Sequence, residues 1–262
     1  VLSPAGAPIV WGVSWGWPGA FPVAGDFDGD ALSDLAVYDQ NSGMWFIRSV
    51  AGAVIAWGFQ TGAGATPAAR DYNADGKDDP GIFFTQGASA GYWQIAFLSS
   101  PENPQWISWG WPGAWPVWGN YRYSTIGDLA VFDTTSGCWY IRDMDGNTVA
   151  WALPWGWPGA IPVSGDYDGD GRFDLAVFDY YTGYWYIRNL AGSVIAWGLP
   201  WGWPGALPIS GDYDGDGAFD MAVFDTSSGC WYVKNLAGSV LVWAQPWGWP
   251  GAWPVGWGLW RP

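Results

Sequence analysis

Apolar and polar positions along this chain follow one short pattern that recurs. In its clearest copy, Ala160-Ile-Pro-Val-Ser-Gly-Asp166 reads as a short strand running into an acidic loop, and Leu175-Ala-Val-Phe-Asp179 as a second strand. Tyr184-Trp-Tyr-Ile-Arg188 reads as a third strand and Ser193-Val-Ile-Ala-Trp197 as a fourth. Turn residues separate them, Tyr180-Tyr-Thr-Gly183 after the second strand and Asn189-Leu-Ala-Gly192 after the third. The acidic loop begins at Asp26, Asp71, Asn120, Asp166 and Asp212, so copies follow one another every 45 to 49 residues. Such a period predicts an all-β chain, a five-bladed β-propeller of four-stranded antiparallel blades with an Asp-rich loop between first and second strands. The blades are expected at about 20–57, 66–107, 114–152, 160–198 and 206–243, within a single domain of residues 1–262.

The ends carry two surplus strand-like segments. Pro8-Ile-Val-Trp11 matches a fourth strand and Ala252-Trp-Pro-Val255 a first. Residues 1–15 are therefore expected to supply a ring-closing strand, and the Trp-rich tail 247–262 to pack on the ring or to pair with another subunit.

The acidic loop is the best-defined chemistry. In Asp166-Tyr-Asp168-Gly-Asp170-Gly-Arg-Phe-Asp174, three carboxylates stand at alternate positions, a carbonyl follows two residues later and a further Asp occupies the ninth position. Such a loop can curl around one hard cation, with Gly relieving the tight backbone. Oxygen donors without His or Cys, on a flexible loop offering many ligands, point to calcium. A helix-loop-helix site would end in Glu at the twelfth position before an apolar helix; here a strand follows. The third copy, Asn120-Tyr-Arg122-Tyr-Ser124-Thr-Ile-Gly-Asp128, has lost most of its acid, and Arg122 is expected to supply fixed positive charge there.

Composition narrows the function classes. The net charge of −15 leaves no basic surface to release counterions from phosphates, which argues against nucleic acid. Gly, Pro and Asp interrupt every apolar stretch before the roughly 20 residues that a membrane-spanning helix needs. The chain begins at Val1 with no leader, as a mature exported protein would, and extracellular calcium suits loops of modest affinity. Cys138 and Cys230 occupy equivalent places two repeats apart, too distant for a disulfide, and read as small buried apolar residues.

A second motif lies between blades. Trp-Gly-Trp-Pro-Gly-Ala stands at Trp15–Ala20, Trp109–Ala114, Trp155–Ala160, Trp201–Ala206 and Trp247–Ala252; only the second blade replaces it, with Gln60-Thr-Gly-Ala-Gly-Ala-Thr66. Because this linker precedes the first strand and the acidic loop follows it, the two motifs are expected on opposite faces. Trp15, Trp17, Trp109, Trp111, Trp155, Trp157, Trp201, Trp203, Trp247 and Trp249 are then either candidate ligand-binding residues or packing between blades.

Gly165-Asp-Tyr-Asp-Gly-Asp-Gly-Arg-Phe-Asp-Leu-Ala-Val177 resembles the FG-GAP/VCBS-type repeat of integrin-like propellers and many exported bacterial proteins, over roughly residues 15–245. The resemblance implies a calcium-stabilised extracellular propeller used for adhesion, recognition or display. It implies metal ligands at Asp26, Asp28, Asp30 and Asp34; Asp71, Asn73, Asp75 and Asp79; Asp166, Asp168, Asp170 and Asp174; Asp212, Asp214, Asp216 and Asp220. Backbone carbonyls of Leu32, Lys77, Arg172 and Ala218 would complete four calcium sites.

Three functions follow. The first is a noncatalytic extracellular binding or scaffold module, whose partner is another surface protein or a glycan. The second is a lectin using the Trp-motif face. The third is a structural subunit of an extracellular filament. An enzyme is not expected: without histidine, Ser-His-Asp and Cys-His arrangements are impossible, and the acidic residues repeat too evenly to mark one special site.

Overall fold

The computed structural model describes residues 12–255, so the strand expected at Pro8–Trp11 and the end of the tail lie outside the described residues. The described chain is all β, arranged as five four-stranded antiparallel sheets, which are the five expected blades. The first holds β1 (Phe21–Val23), β2 (Leu35–Asp39), β3 (Met44–Arg48) and β4 (Val54–Gln60). The second holds β5 (Thr66–Pro67), β6 (Gly81–Phe83), β7 (Tyr92–Phe97) and β8 (Ser100–Ser108), and the third β9 (Trp115–Gly119), β10 (Asp128–Asp133), β11 (Cys138–Arg142) and β12 (Thr148–Pro154). The fourth holds β13 (Ile161–Pro162), β14 (Leu175–Asp179), β15 (Tyr184–Arg188) and β16 (Val194–Pro200), and the fifth β17 (Leu207–Gly211), β18 (Asp220–Asp225), β19 (Cys230–Lys234) and β20 (Val240–Pro246). Within each sheet sequential strands are neighbours. Ala252–Val255 forms no strand; Ala252 instead closes a turn onto the Trp249 carbonyl and packs into the apolar cluster of the fifth blade. Among the described residues no helix is long and apolar enough to cross a membrane.

The chain divides into two compact units. The first runs up to Trp118 and adds Ser124–Asp133 and Tyr140–Trp151; the second comprises Gly119–Tyr123, Thr134–Trp139 and the chain from Ala152 on.

Burial follows the strand period. The second strand of a blade is covered on both sides, as in Leu175–Phe178, so its text is almost continuously apolar. The third strand alternates: Trp185 and Ile187 face a core, while Tyr184, Tyr186 and Arg188 face the other way. Each third strand carries a core Trp, and Trp45, Trp93, Trp139 and Trp185 are fully enclosed. Their indole N–H groups do not go unsatisfied. Trp93, Trp139, Trp185 and Trp231 donate to the carbonyls of Trp109, Trp155, Trp201 and Trp247, at 2.7 to 3.0 Å, and Trp45 donates to the Thr61 hydroxyl. A buried donor left open costs about 1–3 kcal/mol, so this bond fixes the linker that leaves each blade. The turn glycine after the second strand completes the junction: a Cβ on Gly137, Gly183 or Gly229 would strike the backbone of the departing linker. The two cysteines are free and half-buried.

Candidate functional site

The first Asp of each acidic loop organises the backbone. Asp26 accepts the N–H groups of Gly29 (2.7 Å) and Ala31 (2.7 Å); Asp71 accepts those of Ala74 (2.7 Å) and Gly76 (3.0 Å). Asp166 takes the N–H of Gly171 (2.8 Å), and Asp212 those of Gly215 (2.6 Å) and Gly217 (3.0 Å). The second residue is an aromatic plug: Phe27, Tyr72, Tyr121 and Tyr167 are buried, and the Tyr72 and Tyr167 hydroxyls donate to the carbonyls of Ala68 and Val163, each just past its blade's first strand. Its backbone N–H goes to one oxygen of the ninth-position carboxylate, Asp34, Asp79, Asp174 or Asp220, at 2.7 to 3.0 Å.

Three carboxylate triads result: Asp26, Asp28 and Asp34; Asp166, Asp168 and Asp174; Asp212, Asp214 and Asp220, each with ligand oxygens within 4.8 Å of one another. These clusters could hold metal ions. Burial pushes Asp79 and Asp174 up to about 7 and Asp34 and Asp220 up to about 6; the neighbouring loop carboxylates push in the same direction. The second oxygen of Asp34 is buried without a hydrogen-bond partner. An enclosed acceptor beside two like charges is what a hard cation satisfies, so the residues fit calcium.

The fifth-position carboxylates stand outside the triads. Asp30, Asp170 and Asp216 accept the backbone N–H two residues on, from Leu32, Arg172 and Ala218, and Asp75 does the same for Lys77. Asp170 also pairs with the Arg172 guanidinium, which lies over Tyr123 at 4.3 Å. In the second loop Asn73 bonds Asp75. In the third, Asp128 is fully buried.

The linker motif divides into two roles. Its first Trp is half-buried and structural: Trp15, Trp109 and Trp155 donate their own N–H to the carbonyls of Phe46, Tyr140 and Tyr186 in the following blade, and the carbonyls of Trp109 and Trp155 also accept from the preceding core indole. The corresponding N–H of Trp201 is buried and unpartnered. Its third residue packs edge-on against the same strand, Trp17 on Phe46, Trp111 on Tyr140, Trp157 on Tyr186 and Trp203 on Tyr232, at 4.7 to 5.0 Å. Trp247 and Trp249 follow the last blade, and Trp249 is exposed.

Sequence reasoning missed the aromatic that completes these clusters. Trp57, Trp151, Trp197 and Trp243, on the fourth strands, are 68 to 72% exposed. Each stands at nearly right angles to the third-strand ring, at 5.2 to 5.4 Å from Phe46, Tyr140, Tyr186 or Tyr232. Each also meets the first linker Trp at 5.7 to 6.1 Å. The residue after each of them, Gly58, Ala152, Gly198 or Ala244, has positive φ, and the register slips beside Gly58 and Gly198. A bulge at this point re-aims the preceding side chain and holds it on a rigid strand. The available signal was the recurrence of Trp four residues into each fourth strand. Blade two differs: Gln94 replaces the third-strand aromatic, and Trp106 stacks flat on Phe84 at 5.7 Å.

Neither a family model nor a curated protein matches the chain. Solved structures share its fold. A streptogramin B lyase is 13% identical, with TM-score 0.59 over 91% of this chain and 72% of its own. A lectin of Agrocybe aegerita that recognises non-reducing terminal N-acetylglucosamine is 15% identical, with TM-score 0.54 over 84% of this chain and 63% of its own. The BBS1 N-terminal domain, solved in complex with ARL6, is 13% identical, with TM-score 0.55 over 90% and 72%. These likenesses show a β-propeller fold. They also correct one expectation: a protein of similar fold is a lyase, so even repeats on this fold do not exclude an enzyme.

Proposed function

We propose that this chain is an exported, calcium-loaded propeller that binds carbohydrate through the aromatic clusters of its first, third, fourth and fifth blades. The observation that carries the reading is the exposed indole of Trp57, Trp151, Trp197 and Trp243, held at fixed angles by two neighbouring rings in each blade that has the Trp linker. Exposed aromatics grouped into contiguous clusters commonly mark an interaction site. Rings already ordered lose little conformational entropy on binding, and a sugar offers C–H faces that stack on an indole. Several weak equivalent sites on one chain give avidity toward a repeating polymer. The lectin among the fold neighbours shows that this architecture hosts sugar recognition.

Calcium has the supporting part. Closely placed carboxylates at Asp26, Asp28 and Asp34 and at the two other triads repel one another until a cation bridges them, and filled loops would hold the first and second strands of each blade. An extracellular setting, rich in calcium, completes the reading.

The test is a glycan array probed with the calcium-loaded chain. Binding to a defined subset of saccharides is expected; an array with no bound glycan at millimolar calcium overturns the proposal.

A further inference from the structure

Of the nine basic residues of this acidic chain, four occupy one equivalent position, the last residue of the third strand: Arg48, Arg142, Arg188 and Lys234. Each lies over the first linker Trp of its own blade. The distances are 5.4 Å to Trp15, 5.7 Å to Trp109, 5.5 Å to Trp155 and 5.6 Å to Trp201. That Trp in turn touches the exposed indole, so the cation belongs to the aromatic cluster. Arg188 and Tyr186 share a face of their strand, and Tyr186 is paired across the sheet with Trp197.

None of the four is paired with a carboxylate among the described residues, although Asp and Glu outnumber Lys and Arg by 24 to 9. The Nε atoms of Arg142 and Arg188 donate to the backbone carbonyls of the next residue, and no acceptor among the described residues takes their terminal N–H groups. The guanidinium is held between the indole and the turn glycine, since a Cβ on Gly52, Gly146 or Gly192 would press on its Nη2. This arrangement is a planar fork, half-buried, ordered beforehand and charged, and the Nε of Arg48 is buried without a partner. Blade two loses the whole set together: Gln60-Thr-Gly replaces the Trp linker, Gln94 the third-strand ring and Ala96 the cation.

We propose that the clusters select acidic saccharides, with the exposed Trp carrying the sugar face and the neighbouring cation taking a uronate carboxylate. This inference rests on the carbohydrate reading and narrows it. A cation with no carboxylate beside it is locally complementary to an anionic ligand even on an acidic chain, and the fork favours a carboxylate bound bidentately. Lys234 makes the fifth blade a point charge instead, so that site is the least selective of the four.

The experiment uses the intact calcium-loaded chain and pairs of oligosaccharides, each uronate-containing member beside its carboxyl-reduced neutral counterpart and a sulfated neutral analogue. The uronate member should bind at least about tenfold more tightly than its neutral counterpart, as loss of one charge-assisted bidentate contact implies. The variant carrying Arg48→Gln, Arg142→Gln, Arg188→Gln and Lys234→Gln should bring that ratio to about one. Should this variant not fold, raising sodium chloride from low to high salt supplies the same reading, weakening uronate binding several-fold and leaving neutral sugar unchanged. Equal binding of neutral and uronate members, or tighter binding of the sulfated analogue, overturns the inference but not the carbohydrate reading. If no saccharide of any kind is bound, both are overturned.

Discussion

The backbone N–H of Phe219 donates to the carbonyl of Asp166 across 2.6 Å, tying the fifth acidic loop to the fourth. The same bond recurs from Asp78 to Asp26, from Gly127 to Asp71 and from Phe173 to Asn120. The residue before the ninth-position Asp of one loop therefore rests on the first residue of the preceding loop. A metal ion that fixes one loop also fixes the acceptor on which its neighbour leans, so the loops are coupled in stability.

Elemental analysis of the dialysed chain should accordingly find calcium at the three triads and at the Asp71–Asp79 loop. At a hundredfold excess over its Kd each ion contributes about 2.7 kcal/mol. Chelation is expected to lower the melting temperature strongly. One ion or none per chain, with a melting temperature indifferent to chelator, contradicts this.

The metal-free chain should lose stability as pH rises. Burial lifts Asp79 and Asp174 from 3.8 to about 7, and Asp34 and Asp220 to about 6. The folded values exceed the unfolded ones, so the fold binds these protons more tightly; that stability is complete below about pH 4 and is lost as pH climbs through 6 to 7. Melting curves at pH 5 and pH 8 should show the metal-free protein more stable at pH 5, and saturating calcium should reverse the order. A metal-free protein that melts higher at pH 8 contradicts the assignment of these carboxyls as buried and repelled.

Trp185→Phe keeps most of the core volume but removes the N–H that satisfies the Trp201 carbonyl at 2.7 Å. Destabilisation by about 1–3 kcal/mol is expected, with a cost to linker order. Urea unfolding measures it; a change within 0.3 kcal/mol, roughly the error of such a comparison, shows the bond to be dispensable.

Ala152 and Ala244 hold φ of 51° and 52° where the equivalent residues are Gly58 and Gly198. Ala152→Gly and Ala244→Gly should each stabilise the chain by about 0.5–1 kcal/mol, relief of left-handed strain being partly offset by the freer unfolded chain. Destabilisation by either would mean that the bulge tolerates a Cβ without strain.

Much of the fold was legible because one pattern is written five times. Alternation in Tyr184–Arg188, continuous apolarity in Leu175–Phe178 and glycine at the turns each give a local instruction that the neighbouring copy repeats. The carboxylate spacing likewise placed Asp166, Asp168 and Asp174 together, while the convergence of positions one, three and nine without position five depends on backbone N–H groups that no spacing reveals. The aromatic site was harder to read. The Trp linker draws attention by its composition, yet its first indole is a hydrogen-bonded staple, and the ring that faces water is Trp197, which the sequence presents as one more apolar residue of an outer strand. Its exposure comes from a one-residue bulge at Gly198 and from the edge position of that strand, both products of pairing across the sheet. Two compact units also emerge from contacts that a uniform repeat does not announce.

The most direct measurement of the central claim is the affinity of the chain carrying Trp57→Ala, Trp151→Ala, Trp197→Ala and Trp243→Ala for the glycan that the array identifies. These side chains are mostly in water and outside the buried core, so the variant should stay folded and keep its calcium, though its melting temperature falls with the lost ring contacts. Its affinity should fall at least a hundredfold, toward no detectable binding. A folded, calcium-loaded variant that binds the glycan as tightly as the parent would contradict the account.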